Sequence, residues 1–199
     1  MTSEVAAGGL PPRRVVASAA LAALAVPARF AILSHLLAAG PRTASQCAKV
    51  VGESPSNCSW HLRELAKVGL VEPSDLAHSD GRAKLWQATA AGFDLSGGDE
   101  PAERVALTAL AVVAAEHVDR AYGRYLARQD ELPEDWTEVS GANEYALDLT
   151  PAELEKLLEA VDALVRPYVR PIRKDAPANS EVVHVTLRAF LETDLFLDR

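Results

Sequence analysis

The side chains with the greatest chemical reach cluster between positions 43 and 67. Ser56, Asn57, Ser59, Trp60, Arg63 and Lys67 fall in one segment, with Thr43, Ser45 and Ser54 just upstream. Their chemistry is recognition rather than bond-making. Hydroxyls and amides bond phosphates and base edges, a guanidinium pairs bidentately with guanine, and one large aromatic adds apolar contact. A solvated polar helix face with a stray tryptophan is the competing reading of the same residues. Cys47, Cys58 and His61 form a second set. Cys58 and His61 are spaced to touch one ion from a single helix, and Cys47 could approach Cys58, which leaves a metal or redox alternative open. Against it, a cysteine on a buried stripe acts as a small hydrophobe. His35, His78, His117 and His184 are scattered over separate segments, whereas a four-ligand zinc site needs convergence. No metal and no cofactor is expected. An enzyme is not expected either: no Ser/His/Asp order stands in a nucleophile context, no Gly-rich phosphate loop follows a strand, and Glu134 and Asp135 lie in a solvated acidic run.

Two capped helices must position the recognition residues. Thr43 with Gln46 three residues on has capping-box spacing, and Gly52 ends that first helix. Ser54 is the next N-cap, with Pro55 at the first helical position, where its missing N–H costs nothing. Cys58, Leu62 and Leu65 recur at helical spacing and define a buried stripe that leaves the polar set on the other side. Gly69 closes the helix in a left-handed cap. Leu70–Leu76 and Lys84–Thr89 then read as short strands around His78-Ser-Asp-Gly-Arg82, with Asp80-Gly81 as the turn signal. A helix of this kind followed at once by a hairpin with Arg82 and Lys84 near its tip predicts a winged helix-turn-helix.

With these features in place, the chain resembles the ArsR/SmtB-type winged helix-turn-helix regulators. The matching residues are Pro27-x-Arg29-x-x-Ile32-Leu33, Thr43-Ala-Ser, Ser59-x-His61-Leu62-x-x-Leu65-x-x-x-Gly69-Leu70-Val71, and Gly81-Arg82 with the strand through Trp86. The likeness spans roughly residues 18 to 92. It implies a homodimer that presents two such helices to successive major grooves of double-stranded DNA. Two departures stand out. Val26 occupies a position that is often acidic in the family, and the family's Cys-x-Cys sensing pair is absent, only Cys58 being present in that region.

Charge divides the chain. Residues 1–92 hold nine Lys/Arg against six Asp/Glu, whereas residues 93–199 hold eleven against 22, within an overall net charge of −8. The acidic half should face away from a duplex. Residues 1–14 read as a loose tail in which Arg13 and Arg14 add phosphate contacts. A signal peptide is less fitting than an Ala-rich first helix over Val15–Leu24, because Pro27-Ala-Arg29 runs directly into a second helix, Pro27–Ala39. No run of 18 apolar residues suggests a membrane span, and two cysteines without framework spacing suit a reducing cytoplasm.

Domain organisation follows from the Gly-rich break between Asp94 and Glu100. The reading places a DNA-binding domain at 15–92, a long Ala-rich dimerisation helix at 99–129 and a C-terminal α+β unit at 130–199. In that unit Tyr145–Leu149 and Val182–Phe190 read as strands on either side of a capped helix over Leu154–Val165. They could pair within one subunit or across a dimer. The overall class is α+β and helix-rich. Tyr122, Tyr125, Trp136, Tyr145 and Phe190 are candidate walls of an effector pocket, or simply core aromatics. The alternative of another class is a protein-interaction module with Trp60 as its exposed anchor.

Overall fold

The computed structural model describes residues 14–15, 17–76, 83–94 and 100–194. Helices α1 (Ser18–Leu24) and α2 (Pro27–Ala39) form the base. The second starts at Pro27 although its N-cap, Val26, makes no side-chain hydrogen bond. A proline fixes φ for the first turn and has no N–H to satisfy, so a polar cap is dispensable there. The expected first helix is shortened to Ser18. Arg14–Val15 instead forms strand β1, parallel to β5 (Phe93–Asp94). β-Branched Val15 suits extended backbone better than helix.

Helices α3 (Ala44–Val51) and α4 (Pro55–Lys67) follow as the capping signals predict. The Gln46 amide donates to Thr43 Oγ1 at 3.2 Å and the Thr43 amide to Gln46 Oε1 at 2.8 Å, a reciprocal box. Ser54 Oγ accepts from the Asn57 amide at 3.1 Å. Gly52 and Gly69 take φ of 74° and 72°, the left-handed caps their positions require.

The wing is an antiparallel pair, β3 (Val71–Pro73) with β4 (Leu85–Ala88), in which Glu72 lies opposite Gln87 and bonds it at 3.0 Å. Sequence reasoning did not find its third member, β2 (Arg42–Thr43), which pairs with Leu85 and Trp86 to give the order β2-β4-β3. Two residues are too few for a period-2 pattern. Thr89 ties the base of the hairpin to α4 by donating to the Gly69 carbonyl at 2.7 Å.

The core joins α1, α2, α3, α4 and the sheet: Leu21, Leu24, Ile32, Leu36, Leu62, Leu65 and Val71 are all 2% exposed or less. Helix α5 (Pro101–Leu126) adds Leu110 to this core, and its His117 meets Phe30 edge-on at 5.3 Å. Among the described residues no single helix is long and apolar enough to cross a membrane.

The C-terminal half holds α6 (Glu134–Val139) and α7 (Pro151–Val165), the latter with the expected capping box between Thr150 and Glu153. The strands expected over Tyr145–Leu149 and Val182–Phe190 are not formed within the chain; both segments lie outside any helix or strand. A strand needs a partner's N–H and C=O groups, and neither segment has a backbone hydrogen bond to another part of the chain among the described residues. No residue of α7 is buried.

The capping box gives a stability prediction. Thr43→Ala removes the cap and should cost about 1 kcal/mol, read as a lower urea midpoint at unchanged slope. Ser45→Ala, on an exposed side chain of the same helix, should leave the midpoint in place. Equal midpoints for the two variants would contradict the cap.

Candidate nucleic-acid interface

One side of α4 is committed to the core. Cys58, Leu62 and Leu65 have no exposed surface, and His61 joins them at 8%. That burial fixes the helix's rotation, and Ser56, Trp60, Arg63 and Lys67 follow at offsets of four, three and four on the outer face. Ser56, Asn57, Trp60, Arg63 and Lys67 are exposed, and Ser59 is half-buried at the margin. Arg63 makes no hydrogen bond or ion pair among the described residues. Lys67 is bridged to Glu64 at 2.6 Å, and Asn57 donates to Glu53 Oε2 at 3.0 Å. Both partners lie on the surface, where such pairs exchange readily with other acceptors.

Trp60 is 47% exposed yet held on two sides. The Arg29 guanidinium sits 5.1 Å from its ring centre, and the His61 ring packs edge-on at 4.8 Å. Arg29 is the site residue that sequence reasoning left as a family-pattern position only. Its signal was Pro27-x-Arg29, which says nothing of an aromatic two helices away in sequence.

The other expected residues divide. Thr43 is only 6% exposed with its hydroxyl engaged in the cap, so the structure places it inside the motif, whereas Ser45 and Ser54 are on the surface. Lys84 is exposed at the root of the wing, its ammonium 4.6 Å from the Trp86 ring centre. Arg82, and Arg13 in the tail, lie outside the described residues, as does the side chain of Arg14. Of the aromatic set, Tyr122 and Tyr125 stack at 5.8 Å on α5 and Trp136 is half-buried on α6. Tyr145 and Phe190 are 76% and 78% exposed on their unpaired segments.

The two cysteines sit in the core. Both are free and fully buried. Burial pushes the Cys47 thiol up to about 11, with the neighbouring Cys58 adding to the shift, and burial raises Cys58 as well. The thiolate is the metal ligand and the nucleophile, so both thiols are held in their unreactive form. Among the described residues no three His, Cys, Asp or Glu side chains are grouped to hold a metal ion.

His61 is a buried base whose Nδ1 has no hydrogen-bond partner among the described residues. Burial lowers its pKa, and the Arg29 charge lowers it further. Burial also lowers His35 and His117. Below about pH 6.5 the unfolded chain takes up protons that the folded chain resists. Stability is therefore full above that value and is lost as pH falls beneath it.

A helix-turn-helix domain family matches residues 24–74, the span from the end of α1 through β3. Comparison with curated proteins gives no match. Among solved structures, the chain is 30% identical to the homodimeric winged helix-turn-helix DNA-binding domain of a possible ArsR-family transcriptional regulator from Mycobacterium bovis. That match covers 52% of this chain and 83% of that one, at a TM-score of 0.31. A MarR family regulator from Neisseria meningitidis is 17% identical, over 75% and 80% of the two chains, at a TM-score of 0.30. ZitR from Lactococcus lactis, solved in complex with DNA, is 18% identical, over 81% and 84%, at a TM-score of 0.26.

The histidine argument is checked by thermal unfolding between pH 7.5 and 5.5. The midpoint should fall with pH, and His61→Gln, which removes one of the resisting groups, should fall less steeply. Parallel slopes for the two chains would show that His61 contributes nothing to the acid sensitivity.

Proposed function

We propose that this chain, which carries a winged helix-turn-helix domain, is a sequence-specific DNA-binding transcription regulator of the ArsR type that acts in the cytoplasm as a homodimer. The observation that carries the reading is the outer face of α4. A helix fixed in rotation by Cys58, Leu62 and Leu65 offers Ser56, Trp60 and an unpaired Arg63 on one side, with Lys84 on the adjoining wing. Ser56, Asn57, Ser59, Trp60 and Arg63 read base edges, Ser45, Ser54 and Lys67 meet phosphates, and Arg82 and Lys84 hold the wing to the neighbouring backbone. The excess of basic residues in 1–92 supports the same orientation, with the acidic half held away from the duplex.

Dimerisation is part of the proposal. Val105 and Val112 on α5 are 71% and 54% exposed, with exposed Ala109 between them, a strip of small apolar side chains that lets two helices approach closely. A two-fold dimer would place its recognition helices one turn of DNA apart, on a pseudo-palindromic site. Small-molecule control through the C-terminal half extends the reading. The stacked Tyr122 and Tyr125 are the part of the aromatic set that comes together in one chain.

Gel-shift titrations at two salt concentrations, on the protein's own upstream DNA and on random duplex, test the roles. Arg63→Ala should cost about 1 to 3 kcal/mol and relax one base position. Lys84→Ala should weaken all sequences alike and lower the salt slope by about one. Equal losses on specific and random duplex for Arg63→Ala would remove its base-reading role. No shift of either duplex by the unaltered chain at low salt would turn the reading to a protein-interaction module anchored on Trp60.

A further inference from the structure

The segment 181–191 is written like a strand but has no strand partner among the described residues. Val182, Val183, Val185, Leu187, Phe190 and Leu191 are each 56% exposed or more. None of the segment's backbone groups bonds to another part of the chain among the described residues. One side of the segment is nevertheless held. Arg188 donates to Asp119 Oδ1 at 2.8 Å and to the Ala115 carbonyl at 3.1 Å on α5. His184 lies near enough to His117 of the same helix for its charge to disfavour protonation there. Successive side chains of an extended chain point to opposite faces. Arg188 is turned to α5, and in an extended chain the odd positions Val183, Val185 and Leu187 fall on the face opposite to Arg188.

We infer that this segment pairs with its own copy in a second chain, as an antiparallel two-stranded ribbon whose two-fold axis passes at Val185. In that register Val183 faces Leu187 of the partner and Val185 faces Val185, so the centre of one face of the ribbon is apolar, with Glu181 at its two ends. Glu181 falls opposite Ala189 and Arg188 opposite Val182, so no like charges meet. A slip of one residue would set His184 and Thr186 among the valines, which is how a half-buried face selects its register. The same chain offers the ribbon a cover. Leu157, Leu158 and Leu164 of α7, on a helix with no buried residue, and Tyr145, Leu147 and Leu149 before it are all exposed.

The amount of open surface fits a second copy. The apolar side chains of 182–191 with Tyr145, Leu147 and Leu149 present on the order of 900 Å² per chain, against about 800 Å² that each partner gives to a stable interface. A two-stranded ribbon alone is marginal in water. Covered by two copies of α7 and continuous with α5 through Arg188, it becomes the second layer of a dimer. The inference rests on the homodimeric reading and specifies where its C-terminal contact lies.

Site-directed cross-linking on the full chain tests it. Val185→Cys places a thiol on a side chain that is 65% exposed, so folding is not at stake. Cys47 and Cys58 can stay because both are fully buried. A short bismaleimide should join most Val185→Cys chains into covalent dimers at low protein concentration. Glu181→Cys should stay single, since in this register the two copies of position 181 stand roughly 27 Å apart. Sedimentation of Val185→Lys should show the dimer weakened at least tenfold. Failure of Val185→Cys to cross-link, equal cross-linking at Glu181→Cys, or an unchanged dimer with Val185→Lys would each overturn the pairing. Because the readout needs no DNA, a chain that cross-links at position 185 yet shifts no duplex would sink the DNA reading and leave this one standing.

Discussion

The outer face of α4 is set by one seam of packing, the core cluster to which the fully buried Cys47 of α3 and Cys58 of α4 both belong. Two small sulfur side chains let the helices close together, and Leu62 and Leu65 continue the contact into α2 and β3. The seam decides which side of α4 is hidden, and thereby which side is offered. Substituting a larger group there would overpack the seam; a charged one would place an unpaired charge in the core. Either would rotate or loosen the helix, and Trp60 and Arg63 would lose their common face even though neither was touched.

A second constraint links the base of the domain to that face. The Arg29 guanidinium lies over Trp60, and His61 stands beside the same ring. A tryptophan on an open surface has two freely turning torsions; one held between a cation and an imidazole is set in advance of binding. His61 is held below the usual imidazole pKa by burial first, and the Arg29 charge adds to that shift. The same arginine on α2 thus touches the outer aromatic and adds to the shift of the imidazole beside it.

How much of this was legible in the sequence depended on whether the signal was local. Thr43 with Gln46, Ser54 with Pro55, and Gly52 and Gly69 are choices whose physics lies within a turn of helix, and each appears as read. The stripe Cys58, Leu62 and Leu65 was legible because a period of 3.6 repeats over several turns. Strands β1, β2 and β5 were not, being two residues each and defined only by partners distant in sequence. Arg29 was visible as a residue but not as a neighbour of Trp60. No periodic pattern encodes a contact between the outer faces of two separate helices.

The C-terminal half presents the reverse case, in which the sequence speaks for structure that one chain does not complete. Alternation through Val183, Val185 and Leu187 and the capped amphipathic α7 are strong local signals, yet the folded chain leaves their apolar surfaces open. A helix of this kind takes most of its stability from the face it buries, and a strand takes its stability from a neighbouring strand. Among the described residues neither finds that cover, and the inferred pairing would supply it from a second chain. A sequence records only what each segment needs and not which molecule provides it. The 22 acidic residues of 93–199 would oppose self-association of this half, so on the pairing inferred above the meeting surface is the part in which charge is sparsest. Val182 to Leu191, with Arg188 turned to Asp119 on α5, is such a part.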